Sequence, residues 1–336
     1  RERQYQAYDQ SIRGTGIVKR GLLLITLRRS ARAFLAILML LVMGGLFETA
    51  QAQDLEPRRW SHLPVGLNVL GIGTGWTEGD ILFDPVLRIE DTTFDLYTTG
   101  IGYVRTFDLY GKTARLDATL PYAMGRWEGL LDGELTSVRR HGFADPRLRF
   151  SVNLYGAPAL KGKACAGYRG ENPVNTTVGA AVTLTMPFGE YTSERLINLG
   201  SNRWIVGPQL GVLHQRLNWQ FEVTGSVLLY ETNHEFWQGS VREQDPLWFV
   251  QGHVIRSFKP GWWFSLSGGF AHRGRSHVNG DRKQDDARAR YLALSLGMPL
   301  GSNQSLKVTY LATNTHIAQG SNTDTLVLGW SMNWGL

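Results

Sequence analysis

Apolar and polar side chains alternate with a period of two along much of the chain. The clearest run is 325–336, where Leu326, Leu328, Trp330, Met332, Trp334 and Leu336 share one parity and Thr325, Val327, Gly329, Ser331, Asn333 and Gly335 the other. That period belongs to a β-strand with one apolar face and one small or polar face. About twelve such segments begin near Leu63, Thr93, Thr113, Asp145, Thr177, Arg203, Leu217, Leu247, Trp262, Ala287, Ser305 and Thr325. Each is close to the roughly 9 to 11 residues that cross a bilayer as a tilted strand. In the fourth, Pro146, Leu148, Phe150, Val152 and Leu154 alternate with Asp145, Arg147, Arg149, Ser151, Asn153 and Tyr155. In the seventh, Trp219, Phe221, Val223, Val227 and Leu229 alternate with Asn218, Gln220, Glu222, Thr224 and Ser226.

Alternation alone does not separate a soluble sandwich from a membrane barrel, since both carry one apolar face. Connection lengths do. Short links fall at 110–112, 215–216, 259–260 and 301–304, and long polar ones at 78–91, 128–144, 188–202, 231–245 and 275–286. Short alternating with long matches periplasmic turns and extracellular loops. The link 156–176 sits where a short turn belongs; it either carries a small helix or marks an error in the strand count. With the first strand running outward, Trp219, Trp262 and Trp334 fall at the periplasmic edge and Trp204 and Trp248 at the outer edge, giving two aromatic girdles. The expected fold is all-β: a transmembrane up-and-down β-barrel of about 12 antiparallel strands over 63–336. Parity predicts that Val223→Arg hinders assembly and that Thr224→Arg is tolerated.

An apolar run at 34–47 follows Arg28, Arg29 and Arg32 and leads into Ala50-Gln51-Ala52. A basic flank, a short apolar stretch and a small-x-small site predict a secretory signal cleaved near Ala52, before Gln53. The expected organisation is a leader at 1–52, a periplasmic segment at 53–62 and then the barrel. Removing that leader takes 8 basic and 3 acidic residues from 35 and 29, leaving 27 and 26, so the basic character of the whole chain resides mostly in the leader. A nucleic-acid partner loses its main support, because that reading needs a basic stripe. Beyond the leader the sequence has no apolar stretch approaching the roughly 18 residues of a spanning helix, so a membrane protein of this kind must close a barrel. The single Cys165 excludes an intrachain disulfide and a multi-thiolate metal site. The 39 Gly and 11 Trp suit crowded lumen faces and membrane interfaces respectively.

The candidate lumen-lining residues are Arg115 and Asp117 on the third segment, Arg147, Arg149 and Asn153 on the fourth, and Glu222 and His253 further on. Two roles are open to them. An arginine ladder in a wet lumen selects for anionic or polarised solutes; a paired network stiffens the barrel, which is the favoured reading. A barrel-borne hydrolase of lipase or protease type is the rival from another class, with Ser276, His277 and Asn279 supplying suggestive residue types at 275–280. A structural barrel without transport is a third reading. Gly71-Ile72-Gly73-Thr74-Gly75 lacks the Lys-Ser/Thr of a nucleotide loop, and the eight His show no metal-ligand spacing. Catalytic, cofactor and metal sites are not expected.

Several phrases resemble the outer-membrane transporter family labelled "putative meta-pathway of phenol degradation". They are Glu56-Pro57-Arg58-Arg59-Trp60 with His62-Leu63-Pro64, then Tyr103-Val104-Arg105 with Phe107, Asp145-Pro146-Arg147 and Gly156-Ala157-Pro158-Ala159-Leu160. The most specific is Ile197-Asn198-Leu199-Gly200-Ser201-Asn202-Arg203-Trp204. The resemblance implies an outer-membrane channel for small, hydrophobic or aromatic compounds, and a long 156–176 link as a family feature. It departs from common barrel endings by closing on Leu336. The expected partners are outer-membrane lipid, a small-molecule solute and the barrel-assembly machinery.

Overall fold

The computed structural model describes residues 55–82, 89–131, 134–195, 197–315 and 320–335; the expected leader, Gln53 and Leu336 lie outside the described residues. The strands are β1 (Asn68–Leu82), β2 (Ile89–Leu109), β3 (Lys112–Leu131), β4 (Glu134–Phe143), β5 (Arg147–Tyr155), β6 (Val174–Thr185), β7 (Ile205–Arg216) and β8 (Trp219–Tyr230). They continue with β9 (Asn233–Phe236), β10 (Ser240–Gln244), β11 (Leu247–Lys259), β12 (Trp262–Arg273), β13 (Ser276–Val278), β14 (Asp281–Arg282), β15 (Ala287–Pro299), β16 (Gln304–Thr315) and β17 (Gly320–Trp334). One helix, α1 (Gly162–Glu171), lies between β5 and β6.

The main sheet runs β2-β1-β17-β16-β15-β12-β11-β8-β7-β6-β5-β3, and β2 pairs in turn with β3, which closes it. β4 pairs with the outer half of β3 and β5 with the inner half, so the two form one stave broken at 144–146. The result is a closed 12-strand antiparallel β-barrel. Closure pairs each of the twelve staves with a neighbour on either side, the condition a bilayer imposes on a sheet, while β4 pairs with β3 alone. Side-chain parity follows the alternation in the sequence. On β8, Phe221 and Val223 are exposed on the outer wall while Glu222 and Thr224 are buried inside. On β15, Leu292 and Leu294 face out and Tyr291, Ala293 and Ser295 face in.

The strands reach further outward than the polar links suggested. β3 and β4 remain paired up to Leu131 and Glu134, so 128–144 is a hairpin rather than a loop. β1 likewise extends to Leu82 and β2 begins at Ile89. The physical reason is the change of solvent. Above the lipid band the outward positions become Glu78, Asp95, Arg126, Glu128 and Arg290, while backbone pairing continues unchanged. A strand wet on its outer face no longer shows an apolar parity. Two of the long links hold short strands of their own, joined as a four-stranded sheet in the order β14-β13-β10-β9. The exceptional link 156–176 holds α1, and the strand count stands.

The first strand begins at Asn68 and not at Leu63. Residues 55–67, expected as periplasmic segment and strand start, instead form a strap docked against inner strand faces. Lys307 on β16 donates to Glu56 at 2.7 Å, and the Trp60 Nε1–H donates to Thr224 on β8 at 2.8 Å. The strap is irregular because Pro57 and Pro64 donate no backbone N–H and Arg58 takes a positive φ of 69°.

Candidate functional site: a strapped lumen with an outer cavity

The strap meets its seat through fitted shapes. Gly179 and Gly211 face each other across β6 and β7, and a Cβ at either would overlap the Trp60 indole. Trp60 is fully buried there, and the Arg149 guanidinium stacks over its ring at 4.9 Å. The Arg59 backbone N–H donates to the Glu222 carboxylate at 3.1 Å. Further along, Thr106 donates to the Pro64 carbonyl at 2.6 Å and accepts from the Leu67 N–H at 3.0 Å. The link carrying α1 clamps the same segment: the Val65 N–H donates to the Leu160 carbonyl at 2.8 Å, and His62 Nε2 donates to the Pro158 carbonyl at 2.7 Å. His62 also meets Tyr168 edge-on at 5.3 Å and lies 3.8 Å from the Cys165 thiol. Burial pushes the His62 pKa down and the Cys165 pKa up, so both groups are held neutral.

Most of the seven sequence-derived positions gather around the strap. Arg115 Nε donates to Asp117 at 2.7 Å, and Asp117 lies 3.6 Å from Arg149. Arg149 is itself buried and donates from Nε to Gln209 at 3.0 Å. Glu222 stands opposite His253 in the ladder, but His253 is engaged by Ser267 at 2.8 Å and Gln251 at 3.1 Å. Asn153 and Arg115 border a small gap with Arg59, Ser61 and Leu63. Arg147 is half-buried and sits opposite Thr119 and Thr185, near enough for its charge to act on Arg59 but in no ion pair among the described residues.

That gap has a volume of about 10 Å³, near the roughly 10 to 15 Å³ that holds a single water. A separate cavity of about 730 Å³ lies toward the outer end of the barrel, bounded by β1, β2, β15, β16 and β17. Each strand contributes three consecutive residues centred on a lumen-facing one, namely Gly79, Phe94, Tyr291, Thr313 and Thr323. Tyr291 packs edge-on against Phe249 at 5.5 Å, in a buried cluster with Leu55 of the strap, Leu247 and Ala293. Phe94 belongs to a second cluster with Leu96, Ala123 and Trp127, against which Ile197 and Leu199 pack. The cavity therefore has an aromatic ring at each side, Phe94 and Tyr291, with Gly79, Thr313 and Thr323 between them. Its size falls within the 300 to 1,000 Å³ typical of small-molecule sites.

The loop bearing Ile197 and Leu199 is held by the Glu190 carbonyl, which accepts from the Leu199 and Gly200 N–H groups, and by the Asp145 carboxylate. Asp145 accepts from the Gly189 N–H at 2.9 Å, the Ser201 N–H at 2.8 Å and the Ser201 hydroxyl at 2.5 Å. Arg203, buried beside it, stacks on Tyr230 at 4.5 Å, and burial lowers its pKa to about 10. Ser276, His277 and Asn279 have structural duties instead. The Ser276 hydroxyl donates to Asp285 at 2.7 Å, His277 pairs with Glu243 in the outer sheet, and Asn279 accepts from the Val241 N–H at 2.8 Å.

The apolar lumen residues and Trp60 escaped the reading by parity. An apolar residue on an inward position looks like a phasing error, and Trp60 precedes the first strand. The usable signal was the run Leu247-Trp248-Phe249-Val250, apolar on both parities, at the outer end of a strand.

The family described as "Putative MetA-pathway of phenol degradation" matches residues 79–328. No curated protein matches the chain. Among solved structures, an outer membrane channel from Pseudomonas putida F1 is similar at 19% identity and a TM-score of 0.67, over 83% of this chain and 99% of that one. The transport unit of the autotransporter AIDA-I from Escherichia coli is similar at 10% identity and a TM-score of 0.48, over 85% of this chain and 93% of that one.

Proposed function

The chain belongs to the family described as "Putative MetA-pathway of phenol degradation", and from that premise we propose that it is an outer-membrane channel admitting small hydrophobic or aromatic solutes. The observation that carries the reading is the outer cavity of about 730 Å³ with Phe94 and Tyr291 on its wall. An aromatic solute gains there by leaving water, at roughly 25 cal/mol per Å² of apolar surface, and by stacking edge-on or offset against the two rings. A sugar of equal size would lose hydrogen bonds to water that the two rings do not replace, leaving Thr313 and Thr323 as lumen-facing partners between them. The outer membrane channel from Pseudomonas putida F1 supports the barrel on which this reading is built.

The neck sets how the solute proceeds. The strap crosses the lumen, bound to Lys307 on β16, Thr224 on β8 and Thr106 on β2, so onward movement needs it to shift. Arg115, Asp117, Arg149, Asn153, Glu222 and the strap's own Arg59 form the polar seat that holds the strap, and His253 and Arg147 flank it. In this reading they govern opening and are not contacts for the solute. Export through a signal cleaved before Gln53 and insertion by the barrel-assembly machinery go with the same proposal.

A fluorescent naphthylamine bound to the detergent-purified barrel tests it. Toluene or phenol should displace the probe and glucose should not, and Phe94→Asp with Tyr291→Asp should abolish probe binding. Displacement by glucose as effective as by toluene, or unchanged probe binding in the double variant, would sink the assignment. A barrel hydrolase is the weaker reading, because Ser276 is committed to Asp285.

A further inference from the structure

On the lipid-facing wall near the periplasmic rim, β8, β11 and β12 bring two cations and two indoles together. Arg256 has the outward parity of Val250 and Val254, and its ladder neighbours are Trp219 on β8 and Phe264 on β12. Its guanidinium lies 4.6 Å from the centroid of the Trp219 ring. Strict alternation would turn Lys259 inward. The irregularity between Ser257 and Lys259 resets the phase instead and pairs Lys259 with Trp262, with Nζ 5.0 Å from that ring. A bulge of this kind re-aims a side chain. Among the described residues neither cation has a carboxylate within ion-pair distance.

We propose that Arg256 and Lys259, each backed by its indole, form a headgroup site for one anionic phospholipid, with Phe264 and Leu266 above them as a bed for the acyl chains. Cations on a lipid-facing wall are costly unless they reach the headgroup layer, and indoles mark that depth. A ring behind each cation covers one side and fixes its position, and leaves its N–H donors for phosphate oxygens. Two cations without a carboxylate repel the ammonium of a zwitterionic lipid while they attract the phosphate. The site therefore distinguishes phosphatidylglycerol from phosphatidylcholine by net charge. It is separate from the lumen and independent of the solute assigned there.

Native mass spectrometry of the full barrel in neutral detergent, titrated with phosphatidylglycerol and with phosphatidylcholine, tests the site. The unaltered protein should retain phosphatidylglycerol in preference, and Arg256→Gln with Lys259→Gln should weaken that binding by about fivefold per cation removed, the ordinary worth of a basic side chain at an anionic surface. The charge-preserving pair Arg256→Lys with Lys259→Arg should keep the preference. Equal retention of both lipids by the unaltered protein overturns the proposal whether or not a variant assembles. An undiminished preference in a heat-modifiable, assembled Gln double variant overturns it as well.

Discussion

Arg149 shows how much one side chain is asked to do in a narrow lumen. It faces Asp117 at 3.6 Å, donates to Gln209 and covers the Trp60 ring, and it is almost wholly buried. Arg149→Gln should therefore destabilise the barrel by about 1 to 3 kcal/mol, because it removes the hydrogen bond to Gln209 and the cover on Trp60 and leaves Asp117 to Arg115 alone. Arg147→Gln, at a half-buried position without an ion pair among the described residues, should cost no more than about 1 kcal/mol. Thermal unfolding of the two single variants checks this, and equal melting would mean that the cluster is not a structural unit. Parity in the sequence was enough to group Arg115, Asp117 and Arg149. It treated Arg147 as their equal, because alternation reports which face a residue occupies and says nothing of which neighbours meet it there. The partner that separates the two arginines is Trp60, which arrives from outside the strands.

At the scale of elements, the strap is what the sequence concealed. Its residues lack a period, so no pattern tied them to the lumen, and the glycines that seat Trp60 stand on strands more than a hundred residues away in sequence. The strands were legible because each element repeats one simple rule, up to the height where lipid ends and water begins. The strap alters one expectation drawn from parity. Thr224 does face inward, but it is buried and accepts from Trp60, so Thr224→Arg should push the strap from its seat rather than be tolerated. Trp60→Ala should loosen the same seat by emptying it, at roughly 3 to 5 kcal/mol for a buried aromatic. Both variants should assemble and show larger, noisier single-channel conductance than the unaltered barrel. Conductance unchanged in both would mean that the strap does not close the neck.

At the scale of the molecule, the barrel is stable only if its outer wall matches the bilayer at every stave. The wall carries apolar side chains between the two aromatic edges, with Trp219, Trp262 and Trp334 near the short turns and Trp204 and Trp248 toward the long links. Val223 stands in the middle of that band, beside Val212 and Gly252 and more than half exposed to lipid. A guanidinium at that depth has no headgroup within easy reach, so Val223→Arg should cost about 2 to 4 kcal/mol of insertion energy. The unaltered protein should fractionate with the outer membrane, begin at Gln53 and migrate faster on a gel before boiling than after. In Val223→Arg cells the fast-migrating form should fall sharply while total precursor persists, because the defect lies in insertion and not in synthesis. Wild-type levels of the fast form in that variant would mean that the outward face of β8 does not meet lipid, and the band drawn from the other strands would fail with it.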